Sequence, residues 1–84
     1  MLHVTAAEYR GNYRVWLSFS DNASGEVDLT AQLNGPVFAP LKDIEQFRQL
    51  RFDPDAHTIV WPNGADFAPE FLRSLIHVPA SATT

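Results

Sequence analysis

A strict alternation of apolar and polar positions marks the first half of the chain. One face of the pattern is apolar: Tyr13, Val15, Leu17 and Phe19. The opposite face carries Arg14, Trp16 and Ser18. A period of two with aromatic and β-branched side chains predicts a strand that is buried on one face. Residues 2–7 show a weaker alternation, and residues 26–29 resume strand form. Because the loops between these segments are short, they predict a three-stranded antiparallel meander.

Turn residues separate the three predicted strands. Gly11 and Asn12 are expected to form the first turn. In the second loop, Asn22 or Gly25 can reverse the chain, because both residue types tolerate a positive φ.

The segment after the meander has a different pattern. Asp28 can cap a brief helical turn over residues 29–33, which a Gly-Pro pair would close. Asp43 has a spacing like that of a capping box, so a short helix is predicted for residues 44–48. The apolar side chains between these helices are expected to pack beneath the sheet: Val37, Phe38 and Leu41.

The C-terminal half returns to strand spacing and then becomes helical. Residues 50–52 and 58–61 are typical of strands, and the turn around Pro54 joins them in a hairpin. Pro69 suits the first position of a helix. An apolar stripe then predicts a helix against the sheet: Phe71, Leu72, Leu75 and Ile76.

Together these elements predict an α+β fold. It consists of an antiparallel β-meander plus a β-hairpin, about five strands in all, with a short middle helix and a C-terminal helix packed on the sheet. We expect a single domain over residues 1–78 and a disordered tail at residues 79–84.

Composition and charge exclude several classes of protein. The 84 residues contain no cysteine, which rules out disulfide bonds, thiolate metal sites and cysteine nucleophiles. The six basic residues are scattered and the net charge is −4, so no direct nucleic-acid binding is expected. No apolar run approaches the ~20 residues of a membrane span, and no signal peptide is visible. We expect a cytoplasmic protein without membrane contact.

Six short motifs in a particular order resemble one known family. They are Leu17-Ser18-Phe19-Ser20-Asp21, Val27-Asp28-Leu29, Phe38 with Leu41, Phe47 before the hairpin, Trp61-Pro62-Asn63-Gly64-Ala65-Asp66, and Pro69-Glu70-Phe71-Leu72. Over residues 2–76 their order and spacing resemble the bacterial domain of unknown function twenty-four forty-two. The family usually has Asp-Gly where this chain has Asp21 and Asn22. Because Asn also adopts the left-handed conformation, we expect this turn to be kept.

The resemblance implies a compact α+β domain with no established enzyme activity and no catalytic residues to transfer. Members of the family often lie beside another small uncharacterised protein, and the resemblance implies a toxin–antitoxin or other two-gene pairing. Some members carry a C-terminal helix-turn-helix domain, which these 84 residues do not contain. The resemblance therefore does not imply DNA binding by this chain.

Two groups of residues could bind a metal ion. Asp53, Asp55 and His57 have an acid-acid-imidazole spacing, but a turn in which the aspartates bond to backbone groups explains it better, since calcium loops need more oxygen ligands than this run offers. His3, His57 and His77 could assemble a zinc site, but their spacing does not indicate one. We therefore predict no metal and no cofactor.

Residues for catalysis are few. Asp28, Asp66 and Glu70 could supply a carboxylate pair for acid–base chemistry, but the two aspartates also suit the capping of helices and the bracing of turns. The chain has no Gly-x-Ser-x-Gly elbow and no glycine-rich phosphate loop. We predict no catalytic residue.

A partner-binding site is a separate possibility. Its candidate residues are Trp16, Trp61, Pro62, Asn63, Gly64, Asp66 and Glu70. Trp61 could anchor a partner beside a rigid proline and polar turn groups, or it could fill the core. Trp16 marks an interface if its face of the sheet is uncovered on an apolar patch, and it is core if both faces are covered.

The leading expectation for function is a protein-protein interaction module that binds another small protein or itself. One alternative is an accessory or sensor domain of a transcriptional regulator that acts with a separate DNA-binding chain. The other is a small enzyme or metal-binding protein.

Overall fold

The first part of the chain forms the predicted meander. The structure, a computed structural model, describes residues 1–76, so the predicted boundary at residue 78 and the predicted tail lie outside the described residues. Strands β1 (Val4–Gly11), β2 (Arg14–Phe19) and β3 (Ser24–Asp28) form an antiparallel sheet in the order β1-β2-β3. The alternation in β2 is confirmed, because Val15, Leu17 and Phe19 are all buried.

The first turn lies one residue later than predicted. Gly11 belongs to β1, and the loop consists of Asn12 and Tyr13, with φ values of 53° and 65°. Positive φ at both central positions is the type I′ hairpin geometry, which suits Asn but is unusual for an aromatic residue. The Tyr13 hydroxyl donates to the Lys42 carbonyl, and its ring meets Phe47 edge-on with centroids 5.2 Å apart. These contacts offset the backbone strain.

The second turn keeps the left-handed residue that the sequence offers. Asn22 has φ 71°, and its N–H donates to the Phe19 carbonyl. One carboxylate oxygen of Asp21 accepts from the Ala23 N–H at 3.0 Å, and the other accepts from Arg73 Nε at 3.0 Å. The Asp21 side chain therefore shapes the turn and also ties it to the C-terminal helix.

Residues 30–47 form four short helical elements. They are a 3₁₀ turn (Thr30–Gln32), α1 (Gly35–Phe38), a second 3₁₀ turn (Ala39–Lys42) and α2 (Ile44–Phe47). The α2 helix was predicted, and Asp43 caps it by accepting from the Glu45 N–H at 3.0 Å. Asp28 accepts from the Thr30 N–H at 2.9 Å, but Leu29 rather than Asp28 is the N-cap of the first 3₁₀ turn, and no side chain caps it.

The α1 helix was not predicted, and the placement of Val37 was wrong. The Gly-Pro pair begins α1 rather than closing the preceding turn, because Pro36 in a first helical turn needs no N–H partner. Phe38 faces inward and stacks on Phe67. Consecutive helical residues differ by about 100° in direction, so Val37 faces solvent and is 47% exposed.

The remaining elements complete the predicted α+β fold. Strands β4 (Arg51–Asp53) and β5 (Thr58–Val60) form the predicted hairpin, and α3 (Pro69–Ser74) is the C-terminal helix. The Val4 N–H donates to the His57 carbonyl at 2.9 Å and so links the meander to the hairpin. Leu72 of α3 is fully buried in the shared core.

A row of aromatic contacts runs through this core. Ring centroids are 5.2 Å apart between Tyr13 and Phe47, 5.5 Å between Phe47 and Trp61, and 5.8 Å between Trp61 and Phe67. Edge-on and tilted aromatic pairs of this kind contribute beyond the area they bury. The row connects the first turn of the meander to the segment that leads into α3.

Candidate interaction surfaces

The Asn-Gly pair folds into a tight hairpin loop after β5. The Trp61 N–H donates to the Ala65 carbonyl and the Gly64 N–H donates to the Trp61 carbonyl, both at 2.9 Å. Pro62, Asn63 and Gly64 therefore form a three-residue loop. Gly64 has φ 89°, a conformation that glycine adopts without steric cost. All three loop residues are exposed.

The Asn63 side chain locks this loop in place. Its Nδ2 donates to the Val37 carbonyl at 3.0 Å, and its Oδ1 accepts from the Ala65 N–H at 3.1 Å. One amide thus joins the loop to α1 and closes the loop on itself. Only a side chain with both a donor and an acceptor can make this pair of bonds.

Trp61 lies in the core, which agrees with the second of its two possible roles. It is 2% exposed, and its Nε1 donates to the Phe47 carbonyl at 2.8 Å. In this conformation Trp61 cannot contact a partner. It instead supports the exposed loop from beneath.

Three phenylalanine rings stack beside the loop and reach the surface. Phe67 lies in the middle, with its centroid 4.5 Å from Phe38 and 5.4 Å from Phe71, at interplanar angles of 17° and 23°. Phe71 was expected in the apolar stripe of α3, but it is 37% exposed. The reason is that Leu72 occupies the buried side of the helix, so Phe71 lies at its margin.

Two acidic residues lie next to stacked rings in the sequence: Asp66 precedes Phe67, and Glu70 precedes Phe71. Asp66 pairs with Val60 in an isolated β-bridge, and Glu70 lies in the first turn of α3. Both side chains are exposed, and neither forms a salt bridge within residues 1–76. Of the two structural roles considered for Asp66, helix capping and turn bracing, α3 does not show the first: Ala68 is its N-cap, and no side chain caps it.

The exposed residues around the stack and the half-buried Phe38 make up one surface, here called the motif surface. It consists of Val37, Phe38, Pro62, Asn63, Asp66, Glu70 and Phe71. The hydrogen bond from Asn63 to Val37 and the ring stack hold its three contributing segments together. Its exposed large apolar side chains are Val37 and Phe71, and its acidic side chains are Asp66 and Glu70.

Trp16 lies elsewhere, on the outer face of the meander. It is half-buried, and the cross-strand neighbours on its two sides are Glu8 and Glu26. The Arg10 guanidinium lies 6.0 Å from the centre of its ring. Trp16 is thus neither fully buried nor part of an apolar patch, but a single aromatic residue among charged neighbours.

The residues that could bind a metal are placed as follows. Asp53 accepts from the Asp55 N–H at 2.8 Å, which is the turn arrangement weighed against a metal loop. His3 and His57 stack with ring centroids 4.0 Å apart, whereas His77 lies outside the described residues. In the part of the chain that the structure describes, no group of three potential metal ligands occurs.

The three acidic residues considered for catalysis do not share a cleft. Asp28 lines a cleft of about 320 Å³ together with Arg14, Glu26, Val27 and Leu75. Hydrogen bonds from the hydroxyl and the N–H of Thr30 lower the pKa of Asp28. Asp66 and Glu70 belong to the motif surface instead.

The fold and these surfaces define a small α+β domain, and among residues 1–76 no helix is both long and apolar enough to cross a membrane. The chain belongs to the family described as protein of unknown function (DUF2442), whose family model matches residues 4–77. No curated protein and no solved structure matches it. The resemblance stated from the sequence motifs is thereby confirmed.

Sequence reasoning missed the apolar part of the motif surface. Val37 and Phe71 were both assigned to the interior because they are large and apolar. Helical spacing gives no signal for the pairing of Phe67 with Phe71, because Phe67 precedes the N-cap Ala68, whose ψ of 141° is extended.

Proposed function

We propose that this domain is a protein-interaction module that binds its partner through the motif surface. The observation that supports the proposal most directly is the exposure of two large apolar side chains beside one ring stack, Val37 at 47% and Phe71 at 37%. Apolar patches with a polar margin are typical of binding sites.

The loop makes this surface well suited to recognition. Asn63 fixes the position of α1 relative to the loop, and Trp61 supports the loop from the core. A surface that is already ordered loses little entropy on binding, so more of the contact energy contributes to affinity.

Charge indicates the chemistry of the partner. Asp66 and Glu70 have no salt-bridge partner within residues 1–76, and the whole chain carries a net charge of −4. A second copy would bring the same acids to the interface. The surface therefore fits a different protein, one with an apolar projection surrounded by lysine or arginine residues. The two-gene pairing implied by the family resemblance makes the product of the adjacent gene the first candidate.

The test is co-expression of the tagged chain with the product of the adjacent gene, followed by titration calorimetry on the purified proteins. Phe71→Ser should weaken binding by about thirtyfold or more, as the loss of a central anchor does. Trp16→Gln, on the outer face of the meander, is the matched control and should change the affinity by less than about twofold. Thermal melts establish that both variants fold.

A second pair of substitutions tests the charge argument. Asp66→Asn with Glu70→Gln should slow association and flatten its dependence on salt, because both effects come from charge attraction between the partners. Binding that is lost with Trp16→Gln but kept with Phe71→Ser would reject the motif surface. An adjacent-gene product that does not bind at all would reject the proposed partner.

A further inference from the structure

Strand β3 has an open edge within the described residues. It pairs only with β2 among residues 1–76, in a register that places Val15 opposite Val27 and Leu17 opposite Gly25. The Leu29 N–H donates to the Tyr13 carbonyl, so the pair of Tyr13 and Leu29, which continues this register, is a hydrogen-bonded pair. Because hydrogen-bonded and non-bonded pairs alternate in an antiparallel ladder, the odd-numbered residues of β3 bond to β2. The N–H and C=O groups of Ser24, Glu26 and Asp28 therefore point away from the sheet.

A cleft of about 320 Å³ runs along this edge. Its lining combines Arg14, Glu26 and Asp28 with the apolar side chains of Val27 and Leu75. The charged residues belong to the outer face of the meander, whereas Leu75 follows α3 on the opposite side. A strand added to β3 would thus meet charged groups on one face and apolar groups on the other.

The charges favour one occupant. Glu26 and Asp28 are two residues apart on the open edge, and Arg14, whose Nη1 is 4.0 Å from Glu26 Oε1, offsets one of the two charges. If two copies of β3 paired along their whole length, Glu26 would lie opposite Glu26, and like charges directly opposite are destabilising. Lysine or arginine residues at alternate positions of an added strand would instead face acidic residues.

From these observations we infer that β3 binds an extended segment of a partner protein, in which basic and apolar residues alternate, as a fourth strand of the meander. The segment bonds to Glu26 and Asp28 through its main chain, which is the β-augmentation mode of recognition. Its basic side chains lie on the outer face beside Glu26 and Asp28, and its apolar side chains lie over Leu75. This site is separate from the motif surface.

A synthetic peptide tests the inference without knowledge of the natural partner. The probe is an acetylated and amidated heptapeptide of alternating valine and lysine. Amide hydrogen exchange of the full chain is followed by NMR. At 90% occupancy, exchange at the Glu26 and Asp28 amides should slow by about tenfold, because only the free fraction exchanges. The Gly25 and Val27 amides already bond to β2 and should change little.

Matched peptides separate main-chain pairing from simple charge attraction. In the proposed register the lysine N–H groups point at β3 and the valine N–H groups point away. N-methylation of the lysines should therefore abolish binding, whereas N-methylation of the valines should preserve it. Equal binding of the two methylated peptides would overturn the inference. So would equal binding of a valine–glutamate heptapeptide.

Two variants of the chain complete the test. Glu26→Pro and Glu26→Ala both remove the carboxylate, but only Glu26→Pro also removes the outward N–H and fixes φ. Glu26→Pro should therefore abolish peptide binding, whereas Glu26→Ala should weaken it by about fivefold at most. The Glu26 amide should not be protected from exchange when the peptide is absent. Protection that rises with protein concentration would indicate self-pairing of β3 and would overturn the inference. Protection that disappears when residues 77–84 are deleted would overturn it as well. Phe71→Ser should leave peptide binding unchanged, so this inference and the proposed function fail separately.

Discussion

Replacing Trp61 by phenylalanine measures how strongly the aromatic row holds the fold. The substitution removes the hydrogen bond from Nε1 to the Phe47 carbonyl and part of the ring volume in a side chain that is 2% exposed. The Phe47 carbonyl still accepts from the Leu50 N–H at 3.2 Å. Loss of the Trp61 hydrogen bond therefore leaves no buried carbonyl unpaired. It should lower the free energy of unfolding by about 1 kcal/mol, the net contribution of one hydrogen bond.

The volume change adds a second contribution. A phenyl ring does not fill the space of an indole between Phe47 and Phe67, and the incomplete collapse of that space costs about 1–2 kcal/mol. The free energy of unfolding should thus fall by about 2–3 kcal/mol in total. For a domain of this size, the melting temperature would fall by roughly 10–20 °C.

The assay is unfolding in urea followed by far-ultraviolet circular dichroism, because the substitution changes the fluorescence itself. Trp16→Phe is the control, and its effect should stay within about 0.5 kcal/mol, as expected for a half-buried position with charged neighbours. Equal losses for the two variants would refute the argument that Trp61 is core and Trp16 is peripheral. A loss below about 0.5 kcal/mol for Trp61→Phe would do the same.

Two further outcomes follow from single side chains. The hydrogen bond from the Ala23 N–H, and then that from Arg73, lower the pKa of Asp21 from 3.8. The ionised Asp21 therefore stabilises the fold fully above its unfolded pKa, and this stabilisation is lost as the pH falls through the lower pKa of the folded state. Acid titration of the unfolding free energy should show this loss below about pH 4, and Asp21→Asn should reduce the slope there; an unchanged slope would contradict it. Gly64→Ala should lower the free energy of unfolding in urea by about 1–2 kcal/mol, because a residue with a Cβ is strained at the Gly64 φ of 89°. No atom within 4 Å would contact the new methyl group, so a steric clash adds nothing to this cost. A neutral effect would show that the loop relaxes.

The sequence predicted the elements whose patterns are regular. The alternation in β2 fixes which side chains face the core, and Asn22 keeps the left-handed turn in spite of the departure from the usual Asp-Gly of the family. Asp43 marks the start of α2 because its carboxylate caps the helix. In each case the signal is local, so a short stretch of sequence contains it.

The features that were missed depend on distant parts of the chain. Tyr13 adopts a positive φ because Lys42 and Phe47 hold its side chain, and neither partner can be recognised from the turn itself. Similarly, Val37 and Phe71 are apolar, and their exposure depends on which neighbours turn toward Phe67. Tertiary packing therefore decided the turn and most of the candidate site.

The loop after β5 also controls how fast Asn63 can lose its side-chain amide by deamidation. In an Asn-Gly pair, the glycine nitrogen can attack the side-chain carbonyl carbon of the asparagine and release ammonia, and water then opens the resulting succinimide to aspartate or isoaspartate. In the folded chain, the Gly64 N–H is bonded to Trp61, and the Asn63 amide is bonded to Val37 and Ala65, so both reacting groups are engaged. Deamidation must therefore wait for the loop to open, and its rate follows the population of open molecules. The aspartate that forms cannot donate to the Val37 carbonyl, so each event leaves behind a loop that opens more easily.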